Sequence, residues 1–205
     1  MRYFSDEELE MHDGDWQWFC DPNQRVDYTD KDMSRSCMRG INLHEAVLKN
    51  CNMTCCEIEY RELPNVNMQQ VNLTEAWITG SEFTNADMTD ANFKDARASA
   101  IRVNNSTLVG STFTGADLTH AYIMNSKAQD CDFSGADMRG ARLSGTDLRG
   151  VNFTGANLES VEFTDTNIEG AIFTDAIIKN VVGAKLDAAG NIIGTKTWAE
   201  LHPHV

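Results

Sequence analysis

The sequence predicts an all-β chain wound as a stack of four-sided coils. Three observations predict it: an apolar period of five, a second inward slot reserved for small residues, and phenylalanines recurring twenty residues apart. A helix repeats its apolar face at three and four and a strand at two, so a period of five fits neither element. The 205 residues, 41% of them apolar, suit one compact unit. The formal charge of −14, from 17 Lys+Arg against 31 Asp+Glu, argues against a binder of nucleic-acid phosphates or a basic membrane-surface protein.

Residues 1–30 read as an acidic capping segment, because a stack of coils exposes its apolar interior at both ends. Ser5 as N-cap with Glu8 three residues on forms a capping box, Phe4 can staple onto Leu9, and a short helix over Asp6 to His12 follows. Trp16, Trp18 and Phe19 then supply enough aromatic surface to plug the lower opening, or alternatively to dock a partner. The opening residues Met1 to Glu8 lack a signal-peptide profile and the chain has no long apolar run, so a cytoplasmic protein with reduced thiols at its six cysteines is expected.

Residues 31–180 carry the repeat. Every fifth residue from Met33 to Ile178 is apolar, thirty pentad centres in all, and two positions upstream the residue is Ala, Cys, Ser, Thr or Val in 26 of them. The residue before the centre is often Asp or Asn, as at Asp87, Asn92, Asp117, Asp137 and Asn157. All ten glycines of the region fall two residues after a centre, where a turn with permissive φ recurs. If four pentads close one coil, residues twenty apart must stack, and Phe93, Phe113, Phe133, Phe153 and Phe173 form an unbroken series at that spacing.

The pentads Ala86-Asp87-Met88-Thr89-Asp90, Ala91-Asn92-Phe93, Ala116-Asp117-Leu118 and Ala136-Asp137-Met138-Arg139-Gly140 resemble the pentapeptide-repeat family, whose consensus is A(D/N)LXX. The resemblance extends over about three quarters of the chain. It implies a right-handed quadrilateral β-helix of about 7.5 coils, hence a shaft roughly 36 Å long at the spacing of hydrogen-bonded strands.

Departures from the pattern mark candidate sites. Arg61 occupies an inward small-residue slot, where an unpaired guanidinium is costly. It is either swung out by a local bulge, helped by Pro64 and paired with Glu57, Glu59 or Glu62, or a functional arginine. Ile101 is oversized for its slot and Ala98 undersized, so the two compensate in volume. Trp77 and Tyr122 stand one residue before a centre and point outward, either as ordinary surface packing or as anchors for a partner; with Trp16, Trp18, Tyr60 and Arg61 they make up a candidate interaction surface. Cys51, Cys56 and Cys131 fill inward slots as small hydrophobes. Cys51, Cys55, Cys56 and His44 do not converge, since successive pentads lie on different sides of the coil, so no metal or cofactor is expected.

In residues 181–205 the register slips, and Leu186, Ile192, Ile193, Trp198 and Leu201 read as a C-terminal cap. Ile172, Ile177 and Val182 point outward just beneath it, to be covered by the tail or shared with a second copy in a homodimer.

The five histidines are scattered, and no catalytic triad, phosphate loop or zinc spacing is present, so no enzyme activity is expected. The reading is a non-enzymatic protein-binding or scaffold module that presents rigid faces to a macromolecular partner. The resemblance adds an alternative: acidic family members of the quinolone-resistance and topoisomerase-protection group mimic duplex DNA and bind DNA gyrase. The charge map weighs against it. Residues 1–30 hold 2 Arg against 9 Asp+Glu, residues 181–205 sum to zero, and the remaining −7 spreads over the four sides as −2, −1, −2 and −2. A third possibility is an effector-like protein that docks through its acidic, Trp-rich N-terminal segment.

Overall fold

The fold rests on a ladder of parallel backbone bridges joining residues twenty apart, from Asp27↔Val47 at the bottom to Glu162↔Val182 at the top. A computed structural model describes residues 2–3, 26–38 and 43–202; the expected helix over 6–12 and the aromatic plug of Trp16, Trp18 and Phe19 lie outside the described residues. Twenty residues are four pentads, so each coil has four sides. We number them by their centres: the first holds Phe113, the second Ile78, the third Ile123 and the fourth Met88.

One pentad shows why five residues suffice. Cys131 N–H donates to the preceding centre, Ala128 O, at 3.4 Å and makes the corner. Asp132 N–H reaches down to Ser111 O at 3.0 Å, while Phe133 and Gly135 N–H reach up to Asn152 O at 2.8 Å and Thr154 O at 2.9 Å. The fifth amide, Ser134 N–H, has no backbone acceptor, and the Asp132 carboxylate takes it at 2.9 Å. The Asp or Asn before each centre is therefore a cap for the one amide that stacking leaves over, which satisfies the demand that backbone donors be paired. The same bond recurs from Thr74 to Asn72, Thr89 to Asp87 and Thr154 to Asn152.

Every described centre from Met33 to Phe163 is buried, and only Ile168, Phe173 and Ile178 in the last coil are partly open. Phe93, Phe113, Phe133 and Phe153 stack with centroids 4.5, 4.9 and 5.6 Å apart, and Phe173 lies 5.2 Å beyond Phe153. Offset pairs of this kind add about 0.5–1.5 kcal/mol to simple burial. Ile101 and Ala98 are both buried within the core. The period also reaches one pentad below residue 31: Tyr28 takes a centre slot over residues 26–30 and is buried.

The small slot has a chemistry that size alone does not convey. Ser111 Oγ donates to Met88 O at 2.6 Å, Ser126 Oγ to Val103 O at 2.9 Å, and Thr146 Oγ1 to Ile123 O at 2.6 Å, each reaching the coil below. Two of the inward thiols do the same, Cys51 Sγ to Tyr28 O at 2.7 Å and Cys131 Sγ to Leu108 O at 2.9 Å. They are thus donors as well as small hydrophobes. Burial pushes the thiols of Cys51, Cys56 and Cys131 up to about 11, 12 and 12, so they stay protonated.

Each described corner residue two after a centre sits at positive φ, at glycines such as Gly145 (73°) and also at non-glycine residues such as Ala100 (54°) and Tyr60 (54°). Asn and Asp recur there because their side chains tolerate this region.

Short elements flank the shaft. β1 (Arg2–Tyr3) pairs in parallel with β2 (Val26–Asp27), and β3 (Ala184–Leu186) forms an antiparallel hairpin with β4 (Ile192–Thr195). α1 (Trp198–Leu201) follows, with Thr197 and Glu200 in a capping box. No helix among the described residues is long and apolar enough to cross a membrane. The hairpin is tied to the last coil by Asp165 N–H to Lys196 O at 2.9 Å and Thr195 Oγ1 to Thr166 O at 2.6 Å. It covers the upper opening only in part. Ile192 turns inward, whereas strand alternation turns Ile193 out, and Leu186 and Trp198 are exposed rather than capping. Leu201 is half-buried. The tail also leaves Ile172, Ile177 and Val182 at 48, 45 and 49% exposure.

Removing a rung of the phenylalanine stack by Phe113→Ala should lower unfolding free energy by about 3–5 kcal/mol. Relieving the positive-φ corner by Ala100→Gly should raise it by up to about 1 kcal/mol. Denaturant unfolding of the two variants measures both.

Candidate interaction surface

With the inward slots occupied by core side chains, the groups available for recognition are the outward residue before each centre and the two corner residues after it. On the first side the outward column is mostly caps: Asp32, Asn52, Asn72, Asn92, Asp132 and Asn152. On the third side, from residue 62 to residue 162, it reads Glu62, Glu82, Arg102, Tyr122, Arg142 and Glu162, without one Asp or Asn among these described positions. The lower second side continues this with Glu57, Trp77 and Arg97. There the leftover amides of Glu59, Thr79, Ser99, Thr84, Asn104, Met124, Ser144 and Thr164 have no protein acceptor.

Three of the aromatics expected at the surface, Tyr60, Trp77 and Tyr122, fall in or beside this uncapped region. Tyr60 is 75% exposed at the corner between the second and third sides, and Trp77 is 39% exposed. The Tyr60 ring lies across Gly80, where an added Cβ would come within 2.6 Å of it, so this glycine supplies both a positive φ and room for the ring. Tyr122 is half-buried. Trp16 and Trp18 lie outside the described residues.

Arg61 is half-buried, and the turn before it is opened. The Ser81 hydroxyl from the coil above donates to Ile58 O and accepts from Arg61 N–H at 3.2 Å, replacing the usual corner bond. The same wedge recurs without an arginine where Ser106 Oγ donates to Phe83 O at 2.8 Å and accepts from Ala86 N–H at 2.9 Å. None of Glu57, Glu59 and Glu62 pairs with Arg61, contrary to expectation. Pro64 occupies the pentad position whose amide has no backbone acceptor, so its missing N–H costs nothing there.

Three arginines that the sequence reading did not single out complete the surface. Arg97 lies over the Trp77 ring with its guanidinium carbon 4.3 Å from the centroid. Arg102 and Arg142 flank Tyr122 at 5.6 and 5.4 Å. The twenty-residue spacing already contained these pairs, since 77 leads to 97 and 122 leads to 102 and 142.

Elsewhere several acids are engaged locally. Arg139 Nη2 meets Asp137 Oδ2 at 2.6 Å and Arg149 Nη2 meets Asp147 Oδ2 at 2.7 Å. These guanidinium hydrogen bonds hold both carboxyls below the usual aspartate range. Among the described residues no group of three or more His, Cys, Asp or Glu is placed to hold a metal ion. A concavity of about 480 Å³ lies between the last coil and β4 and is lined by Ile168, Phe173, Ile192 and their neighbours.

A shaft of four-sided coils with small, acidic-or-amide and apolar residues in fixed order defines a class of repeat protein. A family model described as pentapeptide repeats matches residues 67–104, 99–140, 121–155 and 136–175, with eight copies, and the chain belongs to the pentapeptide-repeat family. Among solved structures it is similar to HetL, a pentapeptide repeat protein involved in heterocyst differentiation regulation from the cyanobacterium Nostoc sp. strain PCC 7120. The two share 17% identity over 83% of this chain and 90% of that one, with a TM-score of 0.44. It is similar also to a trypsin-treated variant of QnrB1, a plasmid-mediated fluoroquinolone resistance protein, at 19% identity over 84% and 90% of the chains with a TM-score of 0.45. A pentapeptide repeat protein of the Arabidopsis thaliana thylakoid lumen matches at 21% identity over 63% and 66%, with a TM-score of 0.30. No curated protein matches the sequence.

A carboxylate whose folded pKa is depressed stabilises the fold above its unfolded value and loses that contribution as pH falls through the folded one. The melting temperature should therefore be flat above about pH 5 and fall below about pH 4. Asp137→Asn with Asp147→Asn should flatten the acid limb, as thermal melts across pH would record.

Proposed function

We propose that the protein is a non-enzymatic binding or scaffold module that recognises a protein partner through its outer faces. The coil in this reading is the right-handed quadrilateral β-helix of the family, with residues 31–180 as the shaft and residues 1–30 and 181–205 as its ends. The observation that carries the reading is the third-side column with the lower second side. There backbone caps give way to Trp77, Tyr122 and arginines, with Tyr60 at the adjoining corner, the residue types that dominate binding energy at interfaces. The apolar trio Ile172, Ile177 and Val182 beside the partly open upper end suits a second copy of the chain, so the module works as an end-to-end homodimer in the cytoplasm.

The net charge of −14 supports a second reading, a DNA mimic that binds DNA gyrase. Against it, Asp137 and Asp147 are neutralised by arginines of their own pentads, and most outward Asp residues turn back onto their own backbone instead of forming a phosphate-like stripe. The acidic N-terminal segment as the docking element is the third reading.

The full chain, used as bait in the lysate of its native host with mass-spectrometric identification, should retain a protein that Tyr60→Ala/Trp77→Ala/Tyr122→Ala captures at least about tenfold less well. Equal capture by the triple variant would move the site off this face. Capture of gyrase subunits, with inhibition of supercoiling, would favour the DNA-mimic reading, and loss of capture on removing residues 1–25 from an otherwise folded chain would favour the N-terminal one.

A further inference from the structure

We infer that the corner between the second and third sides, centred on Arg97 and Arg102, docks a short Asp/Glu-rich segment of the protein partner. The inference rests on the binding-module reading and names the chemistry of what that module holds.

Arg97 and Arg102 belong to successive pentads of one coil and are both exposed. Each guanidinium lies over an aromatic ring of a neighbouring coil, Arg97 4.3 Å from the Trp77 centroid below and Arg102 5.6 Å from the Tyr122 centroid above. Neither makes an ion pair, although the chain carries 31 acidic residues. Arg139, Arg142 and Arg149, in contrast, each meet a carboxylate.

Stacking engages the face of a guanidinium and leaves its N–H edge directed away from the ring, and that edge is what a carboxylate takes bidentately. Contact with the rings also restrains the two side chains in advance, so less side-chain freedom is lost on binding. Ala100 at the intervening corner is small enough to let a bound chain pass between the two arginines.

The missing backbone caps are a second, independent observation. A cap of the Asp132 kind contributes about 0.5–1.5 kcal/mol net, and the third side forgoes it at all six outward positions from Glu62 to Glu162. A local rule dropped at six consecutive outward positions of one face, where it is kept at six positions of the first side, marks a surface used for something other than stability.

The occupant is confined as well as attracted. Glu82 lies one coil below Arg102 and Asp117 one coil above Arg97, so anionic charge spread beyond the pair meets repulsion. Together with the net charge of −14 this disfavours a polyphosphate chain and suits a few carboxylates flanked by apolar residues that reach Trp77 and Tyr60.

An array of short synthetic peptides graded in Asp/Glu content, probed with the labelled full chain, tests this. Signal should rise with carboxylate number, drop at least about tenfold when Gln and Asn replace Glu and Asp, and drop similarly for Arg97→Ala/Arg102→Ala. Arg97→Lys/Arg102→Lys, which keeps charge but loses the fork and stack, should fall between. Circular dichroism melts confirm that each variant is folded. Signal indifferent to Asp/Glu content, signal unchanged in the double alanine variant, or tighter binding of single-stranded DNA than of any peptide would overturn the inference. The binding-module reading fails separately. A host partner captured equally by wild type and Arg97→Ala/Arg102→Ala sinks this assignment while leaving that reading in place; absence of any captured partner sinks the reading itself.

Discussion

The constraint from which the rest follows is that five backbone amides per pentad must each find an acceptor in a chain that turns at every pentad. Stacking at twenty residues satisfies three of them, the corner bond satisfies a fourth, and the fifth is left to an Asp or Asn side chain where one stands before the centre. Composition follows from that division. The centre is apolar because it faces the hollow, the residue two before it is small because the corner crowds it, and the residue two after it sits at positive φ. Ser, Thr and Cys are welcome in the small slot because each can also donate to a carbonyl one coil down.

That division also separates structure from recognition. Where the fifth amide is capped, an outward acid is spent on its own backbone, and at Asp137 and Asp147 on an arginine two residues away as well. Much of the shaft's negative charge is therefore local and offers little to a reader of phosphate-like fields. Where the cap is absent, on the third side and the lower second side, the outward column is free to carry Trp77, Arg97, Arg102 and Tyr122 in pairs of guanidinium and ring.

Most of the shaft was legible because inward direction repeats strictly: the centres, the small slot and the phenylalanine series all follow from counting in fives and twenties. The pentad at 26–30 escaped because Tyr28 is an aromatic with a polar tip at the edge of a charged segment, so it did not extend the apolar series. Cap residues at the C-terminal end were misjudged for a different reason. Composition could not say that 192 turns in while 193 turns out, which depends on the hairpin of β3 with β4 and its alternation. The surface was half legible. Trp77 and Tyr122 stood out by type, whereas Arg97 and Arg102 became visible only once the twenty-residue spacing was applied to outward side chains. Arg61 looked anomalous by size, but the Ser81 hydroxyl that opens its turn lies twenty residues away and leaves no local signal.

Scalar couplings across hydrogen bonds, measured by NMR on the deuterated full chain, report directly on which carbonyl each amide reaches. The ladder requires the Phe113 amide to couple to the Asp132 carbonyl, 2.7 Å away, and the Phe133 amide to the Asn152 carbonyl, 2.8 Å away, with the same offset of nineteen at other centres along the shaft. Couplings to the carbonyl four residues back, or to carbonyls at scattered offsets, would contradict it.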